Sequence, residues 1–186
     1  TMGLTASAAV GVVEKVIVFA MLPPTAFASA IAVMTAQNMG AGKIERAQKS
    51  LYGGIACSLV IGIAFWIYSQ ISPESITSLF SNDKEVIYTA AMYLRSYSID
   101  CILVCFIFCM NSFFSGCGHP VFPMVHSLIA TFLIRIPVSF ALSRMKGITL
   151  FEVGFGAPLA TFVSLIMCII YMRYGNWKKN TMLKNR

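Results

Sequence analysis

Long apolar stretches separated by short polar turns organise this chain, at about 4–36, 48–72, 86–114, 121–143 and 150–174. A helix needs ~20 mostly apolar residues to cross a bilayer, and each stretch is long enough. A membrane barrel would instead show alternating segments of roughly ten residues, and that pattern is absent. The expectation is an all-α integral membrane protein of about five transmembrane helices, residues 1–186 forming one membrane domain that ends in a basic tail at 175–186. No tandem repeat or low-complexity linker divides it. The first run lacks the basic start of a secretion signal and is too long for one, so it is read as a retained span.

Composition strengthens this reading. Hydrophobic residues make up 58% of the chain and charged residues 11%, and the mean hydropathy is +0.77, too little charge for a water-facing surface. The net charge of +7 does not point to nucleic acid, because Lys43, Arg46, Lys49, Arg173, Lys178, Lys179, Lys184 and Arg186 sit just outside apolar runs, where basic residues set orientation. No aromatic-basic platform accompanies them. By the positive-inside rule the loop 40–49 is cytoplasmic, as are the turn Gly118-His119-Pro120 and the tail; Arg144 and Lys146 pull the other way. Trp66, Tyr68, Tyr171, Tyr174 and Trp177 fit interfacial anchoring, and His119 and His126 read as interfacial polar residues. Cys101, Cys105 and Cys109 recur every four residues and read as apolar packing groups on one helix face.

A few residues do not belong in a passive bundle. Pro23-Pro24 interrupts the first span and frees carbonyls near Phe19 and Ala20, which is tolerated at that depth only against protein or a watery cavity. Glu14 and Lys15 lie about ten residues into the same span, where a charge costs ~3 kcal/mol or more on insertion scales; they are ~100° apart around the helix and need separate partners. Asp100 shares a helix stripe with Val104, Ile107, Asn111 and Ser115. Counted outward from the turn at 116–120, Asp100 and Arg135 sit at similar depth, roughly 25 Å from the cytoplasmic end, and are expected ion-pair partners. Burial favours the neutral acid and an adjacent guanidinium the carboxylate, so proton uptake depends on whether that pair persists; a permanent structural pair is the alternative. No phosphate loop, nucleophile elbow, HExxH spacing or catalytic carboxylate pair occurs, and the expectation is a non-enzyme without an organic cofactor.

The stretch Ala36-Gln37-Asn38-Met39-Gly40-Ala41-Gly42-Lys43-Ile44-Glu45-Arg46-Ala47 resembles the Gln-Asn-x-Gly-Ala-Gly-x-x-x-Arg-Ala motif of the multidrug and toxic compound extrusion (MATE) transporters, of the MOP flippase superfamily. Tyr93-Leu94-Arg95, Phe114-Ser115-Gly116-Cys117-Gly118 and Arg135-Ile136-Pro137 extend the likeness, although Phe114 departs from the family's usual Leu-Arg-Gly-x-Gly. The resemblance implies most of a six-helix carboxy-terminal lobe lacking its first helix, whose partner would be an amino-terminal lobe. It also implies alternating-access export of organic cations or drugs across the plasma membrane in exchange for Na⁺ or H⁺. The ion and substrate residues expected on this reading are Asp100, Asn111, Glu14 and Arg135, with Na⁺ possible only at Asp100 and no other metal; Pro23, Pro24 and Pro137 are hinges, and Gln37, Asn38, Gly40, Ala41, Gly42 and Arg46 the family motif. Glu14 rests on the intramembrane-charge argument rather than on the family. A lipid-linked oligosaccharide flippase and a non-transporting scaffold are the alternatives.

Overall fold

A computed structural model describes residues 4–144 and 150–178, with the side chains of Ser139, Leu142, Ser143, Arg144, Leu150 and Val153 excepted. Lys146, Lys179, Lys184, Arg186 and most of the basic tail therefore lie outside the described residues. The helices are α1 (Leu4–Ala20), α2 (Leu22–Gly40), α3 (Ile44–Ile71), α4 (Pro73–Thr77), α5 (Lys84–Tyr97), α6 (Ile99–Gly116), α7 (Val121–Ile129), a π-helical turn (Ala130–Arg135), α8 (Ile136–Arg144), α9 (Leu150–Val153) and α10 (Gly156–Tyr174). Among the described residues, five helical spans are long and apolar enough to cross a membrane: Leu4–Gly40, Ile44–Ile71, Ile99–Gly116, Val121–Val138 and Gly156–Tyr174. The chain is an all-α, multi-pass membrane protein.

Two of the apolar runs are broken, the first beside Pro23-Pro24, where the prolines called for a kink or break, and the third where the sequence read a single span. α1 gives way to α2 at Met21, with Pro23 and Pro24 at the second and third positions of α2. Neither proline can donate to the carbonyl four residues back, so Phe19 and Ala20 lose their ordinary partners. The run read as one span at 86–114 is two helices, α5 and α6, separated at Ser98. Gln70 of α3 secures that joint, its amide donating to the Arg95 carbonyl and to the Ser98 hydroxyl at 3.0 Å each.

The breaks divide the interior into two apolar clusters. In one, Ala9, Val12, Val13, Val16 and Ile17 of α1 pack on Val86, Ala90, Tyr93 and Leu94 of α5. In the other, Ile31, Leu51, Met110, Phe113, Phe114, Cys168 and Trp177 bring α2, α3, α6 and α10 together. Small residues set the spacing there, as expected between membrane helices. A Cβ on Gly62 would lie 2.7 Å from the Cys105 sulfur, and one on Gly116 would lie 2.7 Å from the Ala32 carbonyl oxygen. The cysteine stripe accordingly faces α3, with Cys101, Cys105 and Cys109 all buried.

Trp177 does not sit at an interface as expected. It is 1% exposed, its indole donates to the Met172 carbonyl at 2.7 Å, and its ring meets Phe113 edge-on at 5.2 Å. The chain after Tyr174 folds back to supply it, a reversal that span-by-span reading does not anticipate.

Candidate functional site

Both breaks open onto one cavity of about 310 Å³, lined by Met21 from the α1–α2 joint, Tyr97 and Asp100 from the α5–α6 joint, Ile107 and Phe108 further along α6, Ser127, Ala130, Thr131 and Arg135 from α7 and the π turn, and Ala157, Thr161 and Ser164 from α10. Asp100 lies in the first turn of α6, where the unpaired N–H groups of a helix start favour an anion. The residue is 4% exposed, and its Oδ1 atom is buried without a hydrogen-bond partner among the described residues. Thr161 faces the carboxyl, although its hydroxyl also reaches the Ala157 carbonyl at 3.1 Å. A single hydroxyl proton can be turned to only one of them.

Arg135 does not pair with Asp100 as its depth suggested. Its Nη2 donates to the Tyr97 hydroxyl at 3.3 Å, and the side chain is exposed. Equal depth placed the two charges in one cavity, where the guanidinium meets the Tyr97 phenol rather than the carboxylate. Arg135 ends a π turn, which sequence reading missed. Pro137 has no N–H, the Ile136 N–H reaches back to the Thr131 carbonyl, and the widened turn aims Ala130, Thr131 and Arg135 at the cavity. The signal was present in Arg135-Ile136-Pro137, since a proline inside a long apolar run forces such an adjustment.

Asn111 is on the expected stripe of α6 but outside this cavity. Its side-chain oxygen lies 2.8 Å from His126 Nε2 and 3.9 Å from the Cys168 sulfur, with that sulfur 3.6 Å from the same imidazole nitrogen. His126 is 1% exposed, so it is a core residue and not an interfacial one; its Nδ1 is buried without a partner. Asn111 lies one turn beyond Ile107 on α6, Cys168 one turn beyond Ser164 on α10, and His126 next to Ser127 on α7, so the cluster borders the end of the cavity away from Asp100. Glu14 and Lys15 are exposed on α1, and Glu14 does not line this cavity; its charge acts on the Tyr93 phenol.

The motif residues Gln37, Asn38, Gly40, Ala41, Gly42 and Arg46 close α2 and turn the chain into α3. The Lys43 N–H donates to the Asn38 carbonyl at 2.8 Å and the Gly42 N–H to the Met39 carbonyl at 3.1 Å, with Gly42 at φ 71°. This is a Schellman cap, which requires a left-handed residue at the position glycine holds. The end of α6 repeats it: the His119 N–H reaches the Phe114 carbonyl and the Gly118 N–H the Ser115 carbonyl, both at 3.0 Å, with Gly118 at φ 87°. Arg46 projects into solvent-exposed surface at the start of α3.

Comparison with known proteins fits this geometry. A profile described as MatE matches residues 1–141. The chain is 28% identical over 177 residues to the probable multidrug resistance protein YoeA of Bacillus subtilis (strain 168), a match covering 95% of this chain and 38% of that protein. It is 18% identical over 178 residues to multidrug and toxin extrusion protein 1 of Homo sapiens, covering 96% of this chain and 31% of that one. Among solved structures it overlays an inward-facing multidrug resistance MATE family transporter of the MOP superfamily with a TM-score of 0.80 at 16% identity, over 95% of this chain and 44% of that chain. That likeness is one of fold. The chain thus spans between about a third and two fifths of the length of these curated relatives.

Proposed function

The chain belongs to the MatE family, and from that premise we propose that it forms the carboxy-terminal lobe of a two-lobe transporter that exports organic cations or drugs in exchange for Na⁺ or H⁺. Asp100 is the group that takes and releases the coupling ion. The observation that carries this reading is the buried Oδ1 of Asp100, unpartnered at the edge of a cavity in a membrane-spanning helix. An ionisable group at that depth is costly unless it meets water, an ion or a partner. The scaffold alternative calls for a permanent Asp100–Arg135 pair, and Arg135 is instead held by Tyr97.

The surroundings give the carboxyl two uses. A proton can bind the free oxygen directly, while Na⁺, a hard cation, can draw on the oxygens of Asp100, Thr161 and other hydroxyl residues of the wall, Ser127, Thr131 and Ser164. Arg135 tunes the site from the far side: swinging from the phenol to the carboxylate, it would displace a bound cation. The joints at Met21 and Ser98 border the same cavity, so hinge motion about Pro23 and Pro24 changes its walls. Pro137 acts through the π turn that presents Arg135. Glu14, exposed on α1, faces whatever lies across the lobe surface, and we assign it to the watery passage between two lobes in the plasma membrane, with the basic tail cytoplasmic.

The test is Asp100→Asn in the two-lobe protein reconstituted in proteoliposomes. Ethidium-like cation efflux driven separately by a Na⁺ gradient and by a pH gradient identifies the coupling ion in the unsubstituted protein. The substitution should abolish whichever response is present while leaving the protein monodisperse. Undiminished gradient-driven efflux in the Asn protein would refute the assignment.

A further inference from the structure

Between α2 and α3, sharing no lining residue with the cavity at Asp100, lies a groove of about 430 Å³ lined by Phe27, Ala30, Ile31 and Met34 of α2 and by Arg46, Lys49, Ser50, Gly53, Gly54 and Cys57 of α3. It exists because α3 carries glycine at two successive positions: a Cβ on Gly54 would collide with the Ile31 side chain, whereas one on Gly53 would meet nothing within 4 Å. The two glycines let α2 approach and leave a trough beside the contact. Arg46 and Lys49 stand one turn apart at the end of the trough nearest the Gly40-Ala41-Gly42 turn, both exposed. The rest of the lining is apolar except for Ser50. Glu45 is rotated by ~100° from Arg46 around the helix and is not among the lining residues.

We propose that this groove binds one anionic phospholipid, its phosphate held between Arg46 and Lys49 with the Ser50 hydroxyl, and one acyl chain lying along Gly53, Gly54, Phe27 and Met34. Charge complementarity selects the occupant. Two cations at the mouth of an apolar trough match a negative headgroup joined to a hydrocarbon tail, and basic pockets between membrane helices bind such headgroups. A zwitterionic lipid fills the trough equally well but leaves the cations without net compensation. The site is independent of the cation-coupling assignment.

Cys57 supplies the probe. It lines the groove and is exposed, whereas Cys101, Cys105, Cys109, Cys117 and Cys168 are buried. In the two-lobe protein, with cysteines outside this chain replaced by serine, a bimane fluorophore on Cys57 is titrated in nanodiscs with phosphatidylglycerol or phosphatidylcholine carrying the same nitroxide-labelled acyl chain. Half-quenching is expected at an about tenfold lower mole fraction of phosphatidylglycerol. R46Q/K49Q should make the two lipids equivalent. Gly53→Leu, which keeps both cations and fills the trough, should leave only the quenching expected from bulk lipid, and keeps the proposal testable if the double variant does not fold. Equal quenching by the two lipids in the unsubstituted protein would overturn the proposal.

Discussion

Replacing Gly116 by alanine adds one methyl group at the closest approach of α6 to α2. The new Cβ would lie 2.7 Å from the Ala32 carbonyl oxygen, 2.9 Å from Thr35 Cβ and 3.1 Å from Thr35 Cγ2, against an ordinary contact that begins near 3.4 Å. The carbonyl belongs to the α2 backbone and cannot rotate aside, and Thr35 is itself fully buried. One helix must retreat, and overpacking of this kind costs ~1–3 kcal/mol. Alanine regains up to ~1 kcal/mol of helix propensity inside a helix, but Gly116 is the last residue of α6 and recovers little of it. A net loss of ~1–2 kcal/mol is expected. At ~2–4 °C per kcal/mol, which holds for domains of this size, the melting temperature should fall by several degrees. A thiol-reactive dye suits the measurement, because Cys117 and the α6 stripe are buried until the bundle opens. Gly11→Ala is the internal control: nothing lies within 4 Å of its Cβ, so the same change should stabilise slightly. If Gly116→Ala melts at or above the Gly11→Ala protein, the α2–α6 contact is not as close as described.

Two further outcomes follow from the polar groups. Asn111→Leu or His126→Leu alone strands its partner in the core at ~1–3 kcal/mol, so each should lower the melting temperature, while the double substitution should cost less than the sum of the two; additive losses would show that the 2.8 Å contact contributes nothing. Tyr97→Phe removes the acceptor of the Arg135 guanidinium and frees it toward Asp100; the half-saturating concentration of the coupling ion should rise about tenfold, a hydrogen bond to a charged group being worth ~1.5–3 kcal/mol, and an unchanged value would mean that Arg135 does not reach the carboxyl.

Helices and their membrane habit are legible because twenty apolar residues in a row have few other uses. Asp100 and Pro23-Pro24 stand out for the complementary reason, that each is expensive at its depth. The α5–α6 joint is invisible in sequence because Ser98 keeps nearly helical dihedrals, φ −61° and ψ −19°, and no proline or glycine marks it; what defines it is Gln70, 28 residues away. His126 looked interfacial because it stands near the start of the fourth apolar run, and its polar partners, Asn111 and Cys168, come from other helices. Depth along a helix can be counted from a turn, which put Asp100 and Arg135 together in one cavity. Azimuth cannot be counted through a π turn, so the expected pair became an Arg135–Tyr97 contact. The Gly-Ala-Gly motif was legible as a family signature, whereas its physical task of capping α2 emerged only from the backbone.

The joints at Met21 and Ser98 part the bundle into the two halves marked by its apolar clusters, with the chamber at their seam and α3 running unbroken past it. Any tilt of one half against the other alters the seam's volume and the access to Asp100 together. An ion that prefers one tilt therefore biases the posture of the whole lobe by the difference in its affinity for the two, and by no more than that. Stiffening either joint should uncouple ion uptake from movement even with every ion-contacting atom left in place.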